Sequence, residues 1–99
     1  MLYVIVGRDT DDSLAARASA RDDHLERIRA LIEDGRLILA GPMPAIDAEA
    51  PGPAGFTASL IVAEFDSLAE ARTWAGADPY LASGAWGSVD VRPFIQVLP

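Results

Sequence analysis

The residues best suited to chemistry in this chain are its only histidine, His24, and two arginines that precede it, Arg17 and Arg21. At about 100° per residue in an α-helix, the three side chains fall within one apolar stripe. The apolar members of that stripe are Leu14, Leu25, Ile28, Leu31 and Ile32. Because buried cationic or titratable groups need partners, the polar half of this face is expected to meet either a cluster of carboxylates or a wet cavity.

Asp78 is the partner that the sequence offers to His24. A loop at the end of the second predicted helix can lie beside the first helix when both helices cover the same face of a sheet. A carboxylate there can fix the tautomer of the imidazole for acid/base catalysis. One interpretation is that His24 and Asp78 transfer protons. The other is that His24 is a buried structural histidine whose hydrogen-bond partner is a helix-capping aspartate. The residues by themselves leave both interpretations open.

The two arginines are candidates for binding an anionic group on a small ligand, because guanidinium groups match carboxylates in geometry. The alternative is that Arg17 and Arg21 pair with Asp9, Asp12 or another carboxylate of the chain. The sequence does not decide between these two roles.

Ser59 and the aromatic residues are further candidates for lining a site. Ser59 stands in a predicted strand without a nucleophile elbow, which favours a hydrogen-bonding role near His24 over covalent catalysis. Tyr80, Trp74 and Trp86 form either ordinary packing or an aromatic ligand wall.

Composition excludes several kinds of site and partner. The formal net charge of −7 opposes binding to a nucleic-acid backbone. Acidic residues interleave with the arginines of the N-terminal third, which is expected to cancel most of the local field. One histidine and no cysteine leave a metal site with carboxylates only, so we expect no metal site.

The chain of 99 residues, 51% hydrophobic and 23% charged, is typical of a single globular domain. Its apolar segments are too short to cross a bilayer, and the N-terminus lacks the basic region of a signal peptide. We therefore expect no membrane partner and a cytoplasmic location.

Periodicity and turn residues predict the order β-α-β-β-α-β. The strands are predicted at Leu2–Gly7, Leu37–Ala40, Phe56–Phe65 and Ser88–Leu98. The first helix is predicted from Asp12 or Ser13 to about Asp34, and the second from Ser67 to about Ala75. A further helical turn is predicted after Asp78-Pro79. Between them, Pro42–Gly55 holds four of the seven prolines and is predicted as a long loop. This order is the ferredoxin-like fold, one antiparallel sheet with both helices on one face.

The predicted strands are apolar on both sides, which indicates a second packing surface. Phe56, Leu60 and Val62 alternate with Ile61 and Phe65, and these cannot all point toward two helices. Face-to-face pairing of two sheets would bury the surplus, so the sequence predicts a homodimer.

In combination, several short motifs resemble those of the YciI-like (YCII-related) family across nearly the whole chain. They are Arg21-Asp22-Asp23-His24-Leu25, Gly35-Arg36-Leu37, Gly41-Pro42, Asp78-Pro79-Tyr80 and Val91-Arg92-Pro93-Phe94. The resemblance implies a single YciI-like domain over residues 1–99, with a ferredoxin-like fold of the dimeric α+β barrel type and a cleft between helices and sheet.

The resemblance also implies a site. A histidine and an aspartate are proposed as catalytic in that family, and their positions match His24 and Asp78. Members commonly have Gly-Ser where this chain has Ala58-Ser59. The resemblance therefore implies that Ser59 lies near the ligand.

Similarity of the family to muconolactone isomerases and to a dehydrochlorinase of aromatic degradation implies cofactor-free acid/base chemistry on a small anionic or phenolic metabolite. On that interpretation Arg17 or Arg21 holds the anion, and Ser59 and Tyr80 line the pocket. The alternative is a non-catalytic dimeric module that binds a metabolite or a partner protein.

Overall fold

The computed structural model describes all residues from Met1 to Pro99. Its elements are, in order, β1 (Leu2–Asp9), α1 (Leu14–Glu33), β2 (Leu37–Pro44), a 3₁₀ turn (Gly52–Ala54), β3 (Phe56–Glu64), α2 (Leu68–Gly76), α3 (Pro79–Ala82) and β4 (Trp86–Phe94). The four strands form one antiparallel sheet in the order β2-β3-β1-β4, with the helices on one face. The predicted ferredoxin-like fold is confirmed.

The core lies between the sheet and the helices. Tyr3 and Ile5 of β1 stand opposite Ala63 and Ile61 of β3, and all four are buried. Leu31 of α1 is 2% exposed and packs against this layer. The alternation predicted for β3 is confirmed, and burial of each large side chain stabilises the fold by about 1.5–3 kcal/mol.

Helix α1 ends as its sequence predicts. Gly35 adopts a φ of 70°, and the Gly35 and Arg36 amides donate to the carbonyls of Ile32 and Leu31. The prediction that Leu14 and Ile32 belong to the buried face is wrong, because they are 38% and 58% exposed. The buried face is centred near His24, and both residues lie about 80° away from it around the helix.

The strands differ from their predicted bounds, by one or two residues at the ends of β1 and β3 and by more in β2 and β4. Strand β2 continues past Ala40 to Pro44, because an edge strand accepts Pro42 without losing a ladder hydrogen bond. The predicted long loop is correspondingly shorter, and the Ala45 amide closes it by donating to the Gly55 carbonyl at 2.9 Å. Strand β4 spans Trp86–Phe94, so the segment after Phe94 is not strand, and Pro93 lies on an edge strand as expected.

Caps fix the second helical region in place. Ser67 Oγ accepts the Glu70 amide at the start of α2, as the predicted capping box requires. Asp78 accepts the Tyr80 amide at the start of α3, with Pro79 in the first turn. This second cap places the Asp78 carboxylate against α1.

Candidate active site

The structure brings His24 and Asp78 together inside the protein. His24 Nδ1 lies 2.8 and 2.9 Å from the two carboxylate oxygens of Asp78. Asp78 is 1% exposed and His24 is 5% exposed. The predicted pairing between α1 and the start of α3 is therefore confirmed as a contact.

This pairing sets the direction of the imidazole. An ionised carboxylate only accepts hydrogen bonds, so when the ring is neutral Nδ1 carries the proton and Nε2 keeps its lone pair. Nε2 has no hydrogen-bond partner in the protein and is not among the unpaired atoms sealed from solvent. His24 lines a cleft beside α1, so Nε2 is open to whatever enters that cleft.

Two aromatic rings hold the imidazole on its other sides. Tyr80 stacks on His24 with ring centroids 3.8 Å apart and planes 8° from parallel. Trp86 meets the His24 ring edge-on at 5.4 Å, over Gly7, where a Cβ would lie 2.2 Å from the indole ring. Glycine at position 7 is thus required for the indole to support the site.

Tyr80 also presents its hydroxyl group to the site. Burial raises the pKa of Tyr80 above its ordinary value of 10.0, while the nearby cations Arg17 and Arg21 act in the opposite direction. The phenol therefore remains protonated near neutral pH, as a hydrogen-bond donor in the wall of the cleft.

Arg17 is held mainly by the protein. Its Nε and Nη2 atoms lie 2.6 and 2.7 Å from the two oxygens of Asp9, which is one of the alternatives left open by the sequence. Nη2 also donates to Ser59 Oγ at 2.9 Å and to the Ala58 carbonyl at 3.3 Å. Ser13, expected as a possible cap, instead donates its hydroxyl to Asp9. Arg17 thus orients Ser59 at the cleft.

The Ala58 side chain does not crowd the cleft. Residues alternate along β3, so Ala58 faces away from the helices while Ser59 faces toward them. Ser59 therefore lines the cleft and Ala58 does not.

Arg27 is a residue of the site that the sequence patterns did not indicate. Its Nη1 atom lies 3.7 Å from Asp78 Oδ2, and Nη2 donates to the Trp74 carbonyl at 2.6 Å. Desolvation lowers the pKa of Arg27, and the charge of Asp78 raises it. The available signal was its spacing three residues after His24, which turns both side chains toward the same neighbouring element.

The cleft has a volume of about 320 Å³ and lies between α1, β2 and the middle of β3. Its charged lining consists of Arg17, Arg21 and Arg29, and it contains His24 but no carboxylate. The apolar lining consists of Leu25, Ile28, Ile32, Leu37, Ala40, Pro42 and Ile61, with Gly41 between. The cleft is therefore electropositive in a chain of net charge −7.

The expected cancellation of charge along the N-terminal third does not hold at the cleft. Asp9 forms an ion pair with Arg17, and Asp78 contacts His24 and Arg27. Neither Arg21 nor Arg29 lies within salt-bridge distance of any carboxylate. Helical geometry turns Arg21 toward the cleft and its neighbour Asp22 away from it.

Comparison with known proteins places this arrangement in a family. A family model described as the YCII-related domain matches residues 1–95. The chain belongs to the YCII-related family. Within it, the chain is 54% identical to protein YciI of Escherichia coli over 97 residues, covering 98% of this chain and 99% of that protein. An uncharacterised protein of Haemophilus influenzae is 44% identical over 97 residues, with the same coverage of both chains.

Solved structures show the same fold for this YCII-related chain. One is the 5-chloro-2-hydroxyhydroquinone dehydrochlorinase TftG of Burkholderia phenoliruptrix in complex with 2,5-dihydroxybenzoquinone. It matches with a TM-score of 0.83 and 22% identity over 97% of this chain and 95% of that chain. Protein Atu4242 of Agrobacterium tumefaciens matches with a TM-score of 0.54 and 20% identity, covering 98% and 94%. At these identities the likeness concerns the fold.

No helix of the chain combines the length and the apolar character that crossing a membrane would need.

Proposed function

We propose that the cleft is the active site of an enzyme that transfers a proton on a small anionic or phenolic metabolite without a bound cofactor. The observation that carries this proposal is the orientation of His24. Its Nδ1 is fixed by the buried Asp78, and its Nε2 is open to an electropositive cleft. A base held in one tautomer beside unpaired arginines has the groups that proton abstraction needs.

In the proposed mechanism, Nε2 of neutral His24 accepts a proton from the substrate. The electron pair left behind moves onto a substrate oxygen, where Arg21 stabilises the negative charge. Asp78 stabilises the imidazolium that forms, as a buried carboxylate beside Nδ1 can do. The protonated Tyr80 phenol and Ser59 Oγ supply hydrogen bonds to other polar atoms of the substrate. The imidazolium then returns the proton to a different atom of the substrate, which gives an isomer and restores the neutral base.

The dehydrochlorinase with the same fold supports the choice of a first probe. That protein was solved with 2,5-dihydroxybenzoquinone, a small oxygenated ring. The volume of the cleft, about 320 Å³, lies at the lower end of the range for ligand pockets. We therefore propose oxygenated six-membered rings and their ring-opened products as the first compounds to screen.

The test compares His24→Ala with the unaltered protein in a screen of such metabolites, with Arg72→Gln as a control on the exposed surface of α2. We expect turnover of any active compound to fall about 10²–10⁴-fold in His24→Ala. Binding of 2,5-dihydroxybenzoquinone, followed by calorimetry, is expected to survive. Equal turnover in His24→Ala and Arg72→Gln would show that His24 is not the base. Binding of these compounds with turnover of none would favour a non-catalytic binding module.

We also propose that the protein acts as a homodimer through the face of the sheet that the helices leave open. The register places a row of apolar side chains on that face: Leu2, Val4, Val6, Leu39, Met43, Leu60 and Phe94. Leu39 is 49% exposed and Met43 is 37% exposed in the isolated chain. The same register places the ion pair of Asp90 and Arg92 on the β4 side of this face, so its apolar surface lies mainly on β2, β3 and β1. An exposed apolar surface of this kind is typical of an interface between subunits.

Light scattering after size exclusion tests the dimer. We expect twice the chain mass at micromolar concentration for the unaltered protein and for Ala30→Glu, which adds a charge on the exposed side of α1. Leu39→Glu places a charge in the interface and should shift the mass toward the monomer. A monomeric unaltered protein contradicts the proposal.

We propose a cytoplasmic location for this activity. The chain contains no cysteine, so its fold gains nothing from an oxidising compartment. A fluorescent fusion found outside the cytoplasm would contradict this location.

A further inference from the structure

We infer that the ligand of this cleft carries two anionic groups on opposite sides of an apolar body, and that Arg29 binds the second of them. This inference rests on the proposed function, since it takes the cleft as the place where the substrate binds. Arg21 serves the anionic group beside His24, and Arg29 is the residue that selects a dianion over a monoanion.

The first support is the separation of charge around α1. At about 100° per residue, Asp22, Glu26 and Glu33 lie about 160–200° from His24, on the side of the helix turned to solvent. Arg21 lies about 60° from His24, within the stripe that lines the cleft, and Arg29 lies about 140° from His24, at the edge of the cleft that borders the acidic side. The acidic residues thus lower the net charge of the chain without entering the cleft.

The second support is that both arginines have no partner. The ion pairs of this region use Arg17 and Arg27, and neither Arg21 nor Arg29 takes part in one. Both arginines are exposed and both line the cleft. An exposed arginine within a cleft keeps its donors available for a carboxylate or phenolate of a ligand.

The third support is the spacing of the two arginines. Eight residues separate Arg21 from Arg29, which corresponds to about 12 Å along the helix axis. The wall between them is apolar and includes Leu25 and Ile28. This arrangement fits a ligand whose two charged groups are joined by a ring or short apolar chain, and the small volume of the cleft excludes a large one.

Calorimetry with two ligands of matched shape tests the inference at low ionic strength. Terephthalate carries two carboxylates across a ring, and 4-methylbenzoate replaces one of them by a methyl group. We expect the unaltered protein to bind terephthalate at least about tenfold more tightly, which corresponds to about 1.4 kcal/mol. Arg29→Gln should bring terephthalate down to the affinity of 4-methylbenzoate and leave the latter unchanged.

Three further variants make the assignment specific. Arg21→Gln should weaken both ligands, because it removes the site that they share. Arg29→Lys should keep part of the preference, because it keeps the charge but loses the planar guanidinium. Arg72→Gln removes the same charge on α2, away from the cleft, and should leave both affinities unchanged.

Equal affinity for the two ligands, binding of neither ligand, or a loss in Arg29→Gln no larger than in Arg72→Gln would overturn the inference. Its failure is distinguishable from failure of the acid/base proposal, because one is measured by binding and the other by turnover. A dianion preference with turnover unchanged in His24→Ala would keep the two-arginine site and remove the catalytic role of His24.

Discussion

Replacing Asp78 by alanine is the perturbation that most directly probes the site. The Asp78 carboxylate meets His24 Nδ1 at 2.8 Å, the Tyr80 amide at 2.9 Å and the Arg27 guanidinium at 3.7 Å. Asp78→Ala therefore leaves an amide without its cap, an imidazole nitrogen without its acceptor and a half-buried cation without its counter-charge. Arg27 Nη1 is already buried without a hydrogen bond, so no other partner stands ready to replace the carboxylate.

The expected cost follows from which of these losses dominates. Loss of a helix cap alone costs about 1 kcal/mol. Removal of one partner from a buried ion pair costs about 3–5 kcal/mol, since the other charge stays buried and unpaired. We expect Asp78→Ala to lower the free energy of unfolding by about 3–5 kcal/mol, with the cap included in that figure because the losses share one carboxylate.

Ser67→Ala is the matched control, because Ser67 caps α2 with a single hydrogen bond and no ion pair. Urea denaturation at a fixed protein concentration should show a loss of about 1 kcal/mol for this variant. Equal losses in Ser67→Ala and Asp78→Ala would refute the conclusion that Asp78 is a desolvated counter-charge.

The same variants test the tautomer of His24 by nitrogen NMR, which is simple because the chain has one histidine. We expect the Nδ1–H form in the unaltered protein and a mixture or the Nε2–H form in Asp78→Ala. Asp78→Asn should keep the Nδ1–H form, because one oxygen of Asp78 accepts from both His24 and the Tyr80 amide and an amide oxygen can take that place. Persistence of the Nδ1–H form in Asp78→Ala would refute the role given to the carboxylate.

Two further predictions concern the support of the site. Gly7→Ala should lower the free energy of unfolding by at least about 2 kcal/mol in urea denaturation, because its Cβ would lie 2.2 Å from the Trp86 ring. Gly76→Ala is the control: a Cβ there meets nothing within 4 Å, so the variant should be neutral or stabilised by up to about 1 kcal/mol. Equal losses in the two variants would show that the contact with Trp86 is not what requires glycine at position 7. The tyrosinate absorbance that Tyr80→Phe removes should have its midpoint above pH 10.0, because burial raises the pKa of Tyr80. Stability from this group is then present below pH 10 and falls as pH rises from there through the folded-state pKa, and a midpoint at or below 10.0 would contradict it.

Local patterns were sufficient for the elements and for one contact. Periodicity and caps predicted α1, the faces of β3 and the start of α3, because each depends on residues a few positions apart. The pairing of His24 with Asp78 was also predictable, since the fold puts both helical regions on one side of the sheet. The length of β2 was not predictable from the sequence, because only its place at the sheet edge explains why Pro42 and Pro44 are tolerated.

The distribution of charge required the tertiary structure. The sequence shows arginines and acidic residues interleaved in the N-terminal third, which indicates a weak local field. In the fold, Asp9 engages Arg17 across the start of α1, while Arg21 and Arg29 stay unpaired along the cleft. Distance along the sequence does not show which arginines pair with carboxylates, because an ion pair depends on the direction in which each side chain leaves its element.

By itself, then, the sequence determined which elements form and which face of α1 turns polar at His24, since these follow from spacing along one chain. Only the tertiary structure decided what each polar group on that face meets. In the fold, Arg17 contacts Asp9 and Ser59, and Asp78 contacts His24 and Arg27. Nε2 of the imidazole remains open to the cleft. The physical reason is that partners in this site come from β1, β3 and α3, and their approach is set by packing of the helices on the sheet.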